Sequence, residues 1–205
     1  PFMIQLLFKE AVEMPKKEEM LAVMQKYFKG AECFSYDEKM AGFALNDHKA
    51  EFKDGKVPVQ LMVMNCTDFG GQGFDPFLMS QMWDCMEDRD RIFEECKYQV
   101  LAIDMLAAGL PAKERADVDM DFMEALARVS PVPIRYPTCE AFYFQNCGKL
   151  FLAEDVRNHD IPRESRFIKF GVNARFFNVQ GSDDMIVDTV GMSTLFLPDL
   201  QYHFH

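Results

Sequence analysis

His203 and His205 stand two residues apart near the end of the chain. On a strand both imidazoles project from one face. With Asp199, Asp188 or the distant His159 they would supply the nitrogen and oxygen ligands of a metal site. A pair of solvated histidines is the plainer reading of so short a spacing. A second constellation is Cys147, in the turn Asn146-Cys147-Gly148-Lys149, with His159 and Asp160 downstream. Nucleophilic catalysis needs a thiol beside a base that a third group orients, so these three are the catalytic candidates. Arg157, Arg163, Arg166, Lys169 and Arg175 concentrate positive charge around His159. Guanidinium forks suit a carboxylate or phosphate ligand. The competing expectation is internal pairing with Glu154, Asp155, Asp160 and Glu164.

Two other patterns fail on inspection. Asp117-x-Asp119-x-Asp121 resembles the start of a calcium loop, but Phe122 stands where that loop needs glycine and Arg128 where it needs glutamate. On a helix Glu114, Asp117, Asp121 and Glu124 read instead as a solvated acidic stripe. Gly70, Gly71 and Gly73 follow a strand as a phosphate loop would, yet Pro76 occupies the third fingerprint position and no lysine follows. Asp68 and Asp75 beside them would repel a phosphate. The segment reads as a flexible linker.

These groups have to be held by a chain of 205 residues with a formal charge of −11. Phosphate binding requires a basic footprint, so nucleic acid is not an expected partner. A basic protein partner suits the charge better. No apolar run is long enough to span a bilayer and no signal peptide opens the chain. Pro1 comes first, so an initiator methionine or more is expected to be missing. Residues 49% hydrophobic, with 20 Phe and 15 Met, supply ample core. The six cysteines include no C-x-x-C pair, and reduced thiols in a cytoplasmic protein are expected.

One grammar occurs twice. Ile4–Phe8 leads through Pro15 into a helix over Lys16–Lys29, and Gln99–Leu106 leads through Pro111 into a helix over Ala112–Val129. Strands are expected at Glu32–Tyr36, Met40–Leu45, His48–Phe52 and Val57–Cys66, the last central and covered on both faces. Lys53-Asp54-Gly55-Lys56 is a turn. Ser80–Tyr98 reads as one amphipathic helix, and Ser130-Pro131-Val132-Pro133 as a breaker. Ala141–Gln145 and Leu150–Leu152 are further strands. Phe167–Gln180 alternates as a strand with Ile168, Phe170, Val172, Ala174 and Phe176 on one face and a bulge at Phe176-Phe177. Met185–Val190 and Leu200–Phe204 complete the set.

The expected fold is α+β: duplicated β-α-β-β units, each a ferredoxin-like half, with an antiparallel-rich sheet and a connecting helix. The first unit covers 1–67, the loop and connecting helix 68–98, and the second unit with C-terminal strands 99–205. Edge strands in such units pair across dimers, so a homodimer is a side expectation.

The tail Asp188-Thr189-Val190-Gly191-Met192-Ser193-Thr194-Leu195-Phe196-Leu197-Pro198-Asp199-Leu200-Gln201 resembles a signature of the bacterial domain-of-unknown-function family 4261. Phe142–Asp184 is similar to its members as well. Members continue past this point, so the expectation from the resemblance is a truncated chain or an incomplete domain. It implies a bacterial cytoplasmic protein and carries no catalytic residues.

With no nucleophile–base pair, metal spacing or phosphate loop of any strength, the residues favour a non-catalytic binding protein, for instance an immunity-like protein that neutralises a basic partner. No cofactor is expected. The competing readings are a hydrolase-type or metal-dependent enzyme using Cys147 and His159 or His203 and His205, and a sensor of small anions using Arg157 to Arg175.

Overall fold

The computed structural model describes residues 1–70, 74–128 and 139–205. The first strand, β1 (Met3–Phe8), is apolar at nearly every position and is buried on both faces. It becomes the centre of the molecule. Ile4, Leu6 and Phe8 point to one side, where α1 (Lys17–Tyr27) packs with a later helix. Gln5 and Leu7 point to the other. Glu18 and Glu19 in the first turn of α1 and Lys26 in its last complement the helix dipole. Gly30 then lets the chain turn, because a Cβ there would lie 2.8 Å from the Asp47 carboxylate.

A meander follows: β2 (Ala31–Tyr36), β3 (Met40–Phe52) and β4 (Gly55–Met64). The two strands expected on either side of residue 46 are one 13-residue strand with a register shift between Leu45 and Lys49. Gly55, at φ +131°, closes the hairpin at the expected turn. β4 alternates buried and half-buried side chains from Val59 onward, so it is covered on one face rather than both.

The short β5 (Thr67–Asp68) leads to the second correction. The single helix expected over Ser80–Tyr98 is α2 (Pro76–Ser80), a 3-10 turn at Trp83–Cys85 and α3 (Arg89–Glu95). Asp75 caps α2 by accepting from the Phe77 amide at 2.9 Å, and Ser80 Oγ bonds back to the Phe77 carbonyl. Gln81 then binds a distant strand through its main-chain and side-chain carbonyls. These bonds draw the chain off the helical path.

Next come β6 (Tyr98–Met105), α4 (Ala112–Arg128), β7 (Cys139–Phe144) and β8 (Lys149–Leu152). Val129 and the expected breaker at 130–133 lie outside the described residues. The large sheet has the order β2-β3-β4-β6-β1-β7-β8, with β5 paired to β6. Every pairing is antiparallel. The fold is therefore mixed α/β around a mostly antiparallel sheet. One apolar core lies between the sheet and α1 and α4. A smaller one on the opposite face gathers Leu7, Phe69, Met82, Ile92 and Leu150 under α3. Each fully buried Phe, Leu or Ile contributes roughly 1.5–3 kcal/mol.

The last third holds α5 (Ala153–Asn158), α6 (Arg166–Gly171), β9 (Asn173–Asn178), β10 (Met185–Val190) and β11 (Gln201–Phe204). The strand expected over Phe167–Gln180 is thus half helix. Phe167, Phe170 and Gly171 stand at helical i, i+3, i+4 spacing and are buried, while Ile168 is 59% exposed. The bulge expected at Phe176-Phe177 is also corrected: β9 and β10 pair without a shift from Asn173–Val190 to Asn178–Met185. The more buried face of β9 carries Asn173, Arg175 and Phe177, not Ala174 and Phe176. No helix among the described residues is long and apolar enough to cross a membrane.

Candidate functional site

The charged candidates are taken up by pairing, and with acids other than their sequence neighbours. Arg163 holds Asp121 in a two-pronged bond, both N–O distances 2.9 Å. That bond to Asp121 holds the Arg163 guanidinium above its ordinary pKa, against the opposing effect of burial. Arg166, buried, reaches Asp121 at 2.9 Å and Glu124 at 2.8 Å. The Ile161 amide donates to Nδ1 of His159, so the ring proton sits on Nε2, 3.1 Å from Glu124. His48 approaches Glu114 at 2.9 Å. The acidic stripe of α4 is therefore no solvated face. It is the anionic half of the joint between α4 and the α5–α6 region.

The other basic side chains point elsewhere. Arg157 donates to the Ala127 carbonyl. Lys169 and Lys149 share the Asp84 carboxylate, and both ammonium groups stand over the Phe151 ring. Arg175 grips Asp188 at 2.8 and 2.5 Å on a different strand pair. The expected anion site from Arg157 to Arg175 is thus divided among several separate ion pairs.

Cys147 and His159 do not share a cleft. Cys147 is buried and its thiol donates weakly to the Phe170 carbonyl, while burial pushes its pKa up to about 12. It lines a recess of about 120 Å³, whereas His159 lines a separate one of about 230 Å³ beside Asp155 and Lys169. Asp160 lines neither recess. At the C-terminal end Asp199 accepts from Thr189 Oγ1 and the Met192 amide, His203 meets Gln201, and His205 pairs with Asp184. Among the described residues no three His, Cys, Asp or Glu side chains come together as a metal site would require.

A further charge cluster escaped sequence reasoning. Asp104 at the end of β6 accepts from the Phe2 amide and from Arg115, whose Nη2 lies 3.1 Å away. Asp119, fully buried one turn along α4, has no hydrogen-bond partner on either oxygen. Burial and the neighbouring Asp104 carboxylate raise its pKa well above the ordinary range. Arg115 opposes that rise, its Nε standing 3.8 Å from an Asp119 oxygen.

The concavity with open polar groups lies on the other face of the sheet. Leu101, Gln5 and Tyr143 form one row across β6, β1 and β7. Asp68, Phe69, Gly70, Phe74 and Asp75 line the other side of a cavity of about 680 Å³ that opens against that row. Its polar walls include Asp68, Asp75, Gln5 and Gln99, and its aromatic walls are Phe69, Phe74 and Tyr143. The smaller Cys147 recess continues it past Tyr143 toward Asn173. No lysine, arginine or histidine lines the larger cavity among the described residues.

Phe74 stacks closely on Phe93, with centroids 4.1 Å apart, and meets Tyr143 edge-on at 5.0 Å. Gln99 bridges Gln5 to the Asp68 carbonyl, which leaves the Gln5 side-chain oxygen free. Tyr143 is 7% exposed and lines the cavity, and its hydroxyl has no partner among the described residues. Burial pushes this phenol up to about 12, so it stays protonated and can both donate and accept.

None of these residues entered the sequence-based candidate set except Asp68 and Asp75, which were read only as hostile to phosphate. The available signal was the interruption of two apolar strands by Gln5 and Gln99. Asp68-Phe69 and Phe74-Asp75, framing the glycines, were a second.

Comparison with known proteins returns nothing: no family model, no curated protein and no solved structure matches this chain.

Proposed function

We propose that this chain is a non-catalytic binding protein that engages a basic protein partner through the groove between Asp68, Asp75 and Tyr143. The observation that carries the reading is the lining of that cavity: carboxylates, amides and aromatic rings with no basic side chain among the described residues, in a chain of charge −11. Buried cations elsewhere are already matched to acids, so the surface facing a partner keeps its negative excess. The reading takes in the likeness of Asp188–Gln201 to the bacterial family 4261, and with it a cytoplasmic setting.

The architecture is part of the same proposal. We read β1–α1–β2–β3 and β6–α4–β7–β8 as two copies of one ferredoxin-like half. In support, β1 and β6 are neighbours at the sheet centre and the β7–β8 hairpin lies beside β1, while β4 stands between the β2–β3 hairpin and β6. The copies differ in that the first adds β4.

The test is capture of a basic protein from bacterial lysate by the immobilised chain, across a salt series. Capture should weaken steeply with salt and fall further in the Asp68→Asn, Asp75→Asn double variant. Capture that ignores both salt and the double variant would refute the reading.

A further inference from the structure

The groove has the composition of a cation box. Two carboxylates at its walls supply charge, the rings of Phe69, Phe74 and Tyr143 supply aromatic wall, and the phenol and amide oxygens of Tyr143 and Gln5 supply acceptors. Carboxylates alone on an acidic surface would be unremarkable solvated groups. The separate observation is Tyr143, more than nine-tenths buried as a residue, which lines the cavity and whose hydroxyl bonds none of the described residues. A polar atom that the protein leaves open on a concave wall is bonded by water, and a ligand that reaches the wall can take that water's place.

We propose that this box receives a guanidinium group, and that the basic partner is recognised through an arginine side chain seated between Asp68, Asp75 and the rings of Phe74 and Tyr143. The inference rests on the partner-binding reading above and names the group that the partner presents. A guanidinium is flat and presents five donors, so it can lie along an aromatic face while bonding several acceptors at once. An ammonium is a compact, strongly hydrated charge and gains less from aromatic walls. The cavity also exceeds a bare guanidinium: about 680 Å³ has room for the whole side chain and adjoining backbone. Gln145, exposed at the mouth, and Leu78 lie where that backbone would emerge.

Calorimetric titration of the full chain tests this. The probes are methylguanidinium, an acetylated hexapeptide with one central arginine, and the same peptide with lysine or citrulline in its place. The arginine peptide should bind saturably, and the citrulline peptide at least about tenfold more weakly. Arginine peptide binding tighter than methylguanidinium identifies a protein segment as the source. Equal binding identifies a free small guanidine. Asp75→Asn and Asp68→Asn should each weaken the arginine peptide about tenfold, and Tyr143→Phe severalfold, with unfolding midpoints unchanged. Absence of saturable binding by any guanidinium probe, or binding equal in wild type and the Asp68, Asp75 double variant, overturns the inference. Salt-sensitive capture of a basic protein that persists alongside such a negative titration would mean that the guanidinium assignment alone has failed.

Discussion

Gln5 and Tyr143 are direct cross-strand partners on β1 and β7 that line the same cavity, and the Gln5 side-chain oxygen and the Tyr143 hydroxyl meet no partner among the described residues. Their neighbours in the same strands, Leu6 and Phe142, are fully committed to the helix-covered core. One pleat thus sends alternate positions of β1 to two sides: Ile4, Leu6 and Phe8 to the helix-covered core, and Gln5 and Leu7 to the face that carries the groove and the smaller core.

Replacing Tyr143 by Phe should leave stability within about 0.5 kcal/mol of wild type, because no protein hydrogen bond is lost. Replacing it by Ala should cost about 3–5 kcal/mol, since the ring packs against Phe74 and Phe93. Urea denaturation of the two variants checks the contrast. A loss above about 1 kcal/mol for the Phe variant would mean that the hydroxyl is bonded within the protein.

Arg166 and Arg163 meet the same Asp121 but differ in exposure: the side chain of Arg166 is 4% accessible and that of Arg163 57%. Arg166→Met should cost about 3–5 kcal/mol by leaving buried carboxylates unmatched. Arg163→Met should cost no more than about 1 kcal/mol, the usual worth of an exposed pair. Equilibrium unfolding in urea gives both values, and a reversed order would contradict the burial of this joint.

Asp119 is raised in the folded state, so the native protein holds a proton that the unfolded chain releases. Between the unfolded carboxyl pKa and the raised folded value, the unfolded state binds fewer protons, and stability from this group falls as pH rises. Asp119→Asn keeps the side chain's shape and removes the titration. The variant should show a flatter decline of stability above about pH 4 than wild type, with the gap widening toward neutral pH. Denaturation midpoints from pH 4 to 9 measure it. Parallel curves would mean that Asp119 is ionised in the fold.

Thiol chemistry should separate the cysteines by burial. Cys85 and Cys96 are pushed up to about 11 and Cys147 to about 12 by burial, while Cys33 and Cys66 are only half-buried. Iodoacetamide at pH 8, followed by mass spectrometry, should label Cys33 and Cys66 first and Cys147 among the last. Early labelling of Cys147 would restore it as a nucleophile.

Local pattern made much of this molecule legible. Proline and glycine framed α1, Asp54-Gly55 marked the β3–β4 hairpin, and alternation located β10. The failures have physical causes. Phe167, Phe170 and Gly171 satisfy helical spacing while Phe170 and Val172 satisfy strand spacing, and only burial against the core decides between them. Ion-pair partners were sought among acids close in sequence. The fold instead brings α4, some 40 residues upstream, against Arg163 and Arg166. Long-range pairing also hid the groove, since the register that places Gln5 beside Tyr143 joins strands well over a hundred residues apart.

The most direct measurement is a heteronuclear NMR titration of the labelled chain with methylguanidinium. The account predicts saturable shifts confined to the groove, foremost the side-chain amides of Gln5 and Gln99 and the backbone of Asp68 and Tyr143. Shifts scattered over the acidic surface, with those four residues unmoved, would contradict it.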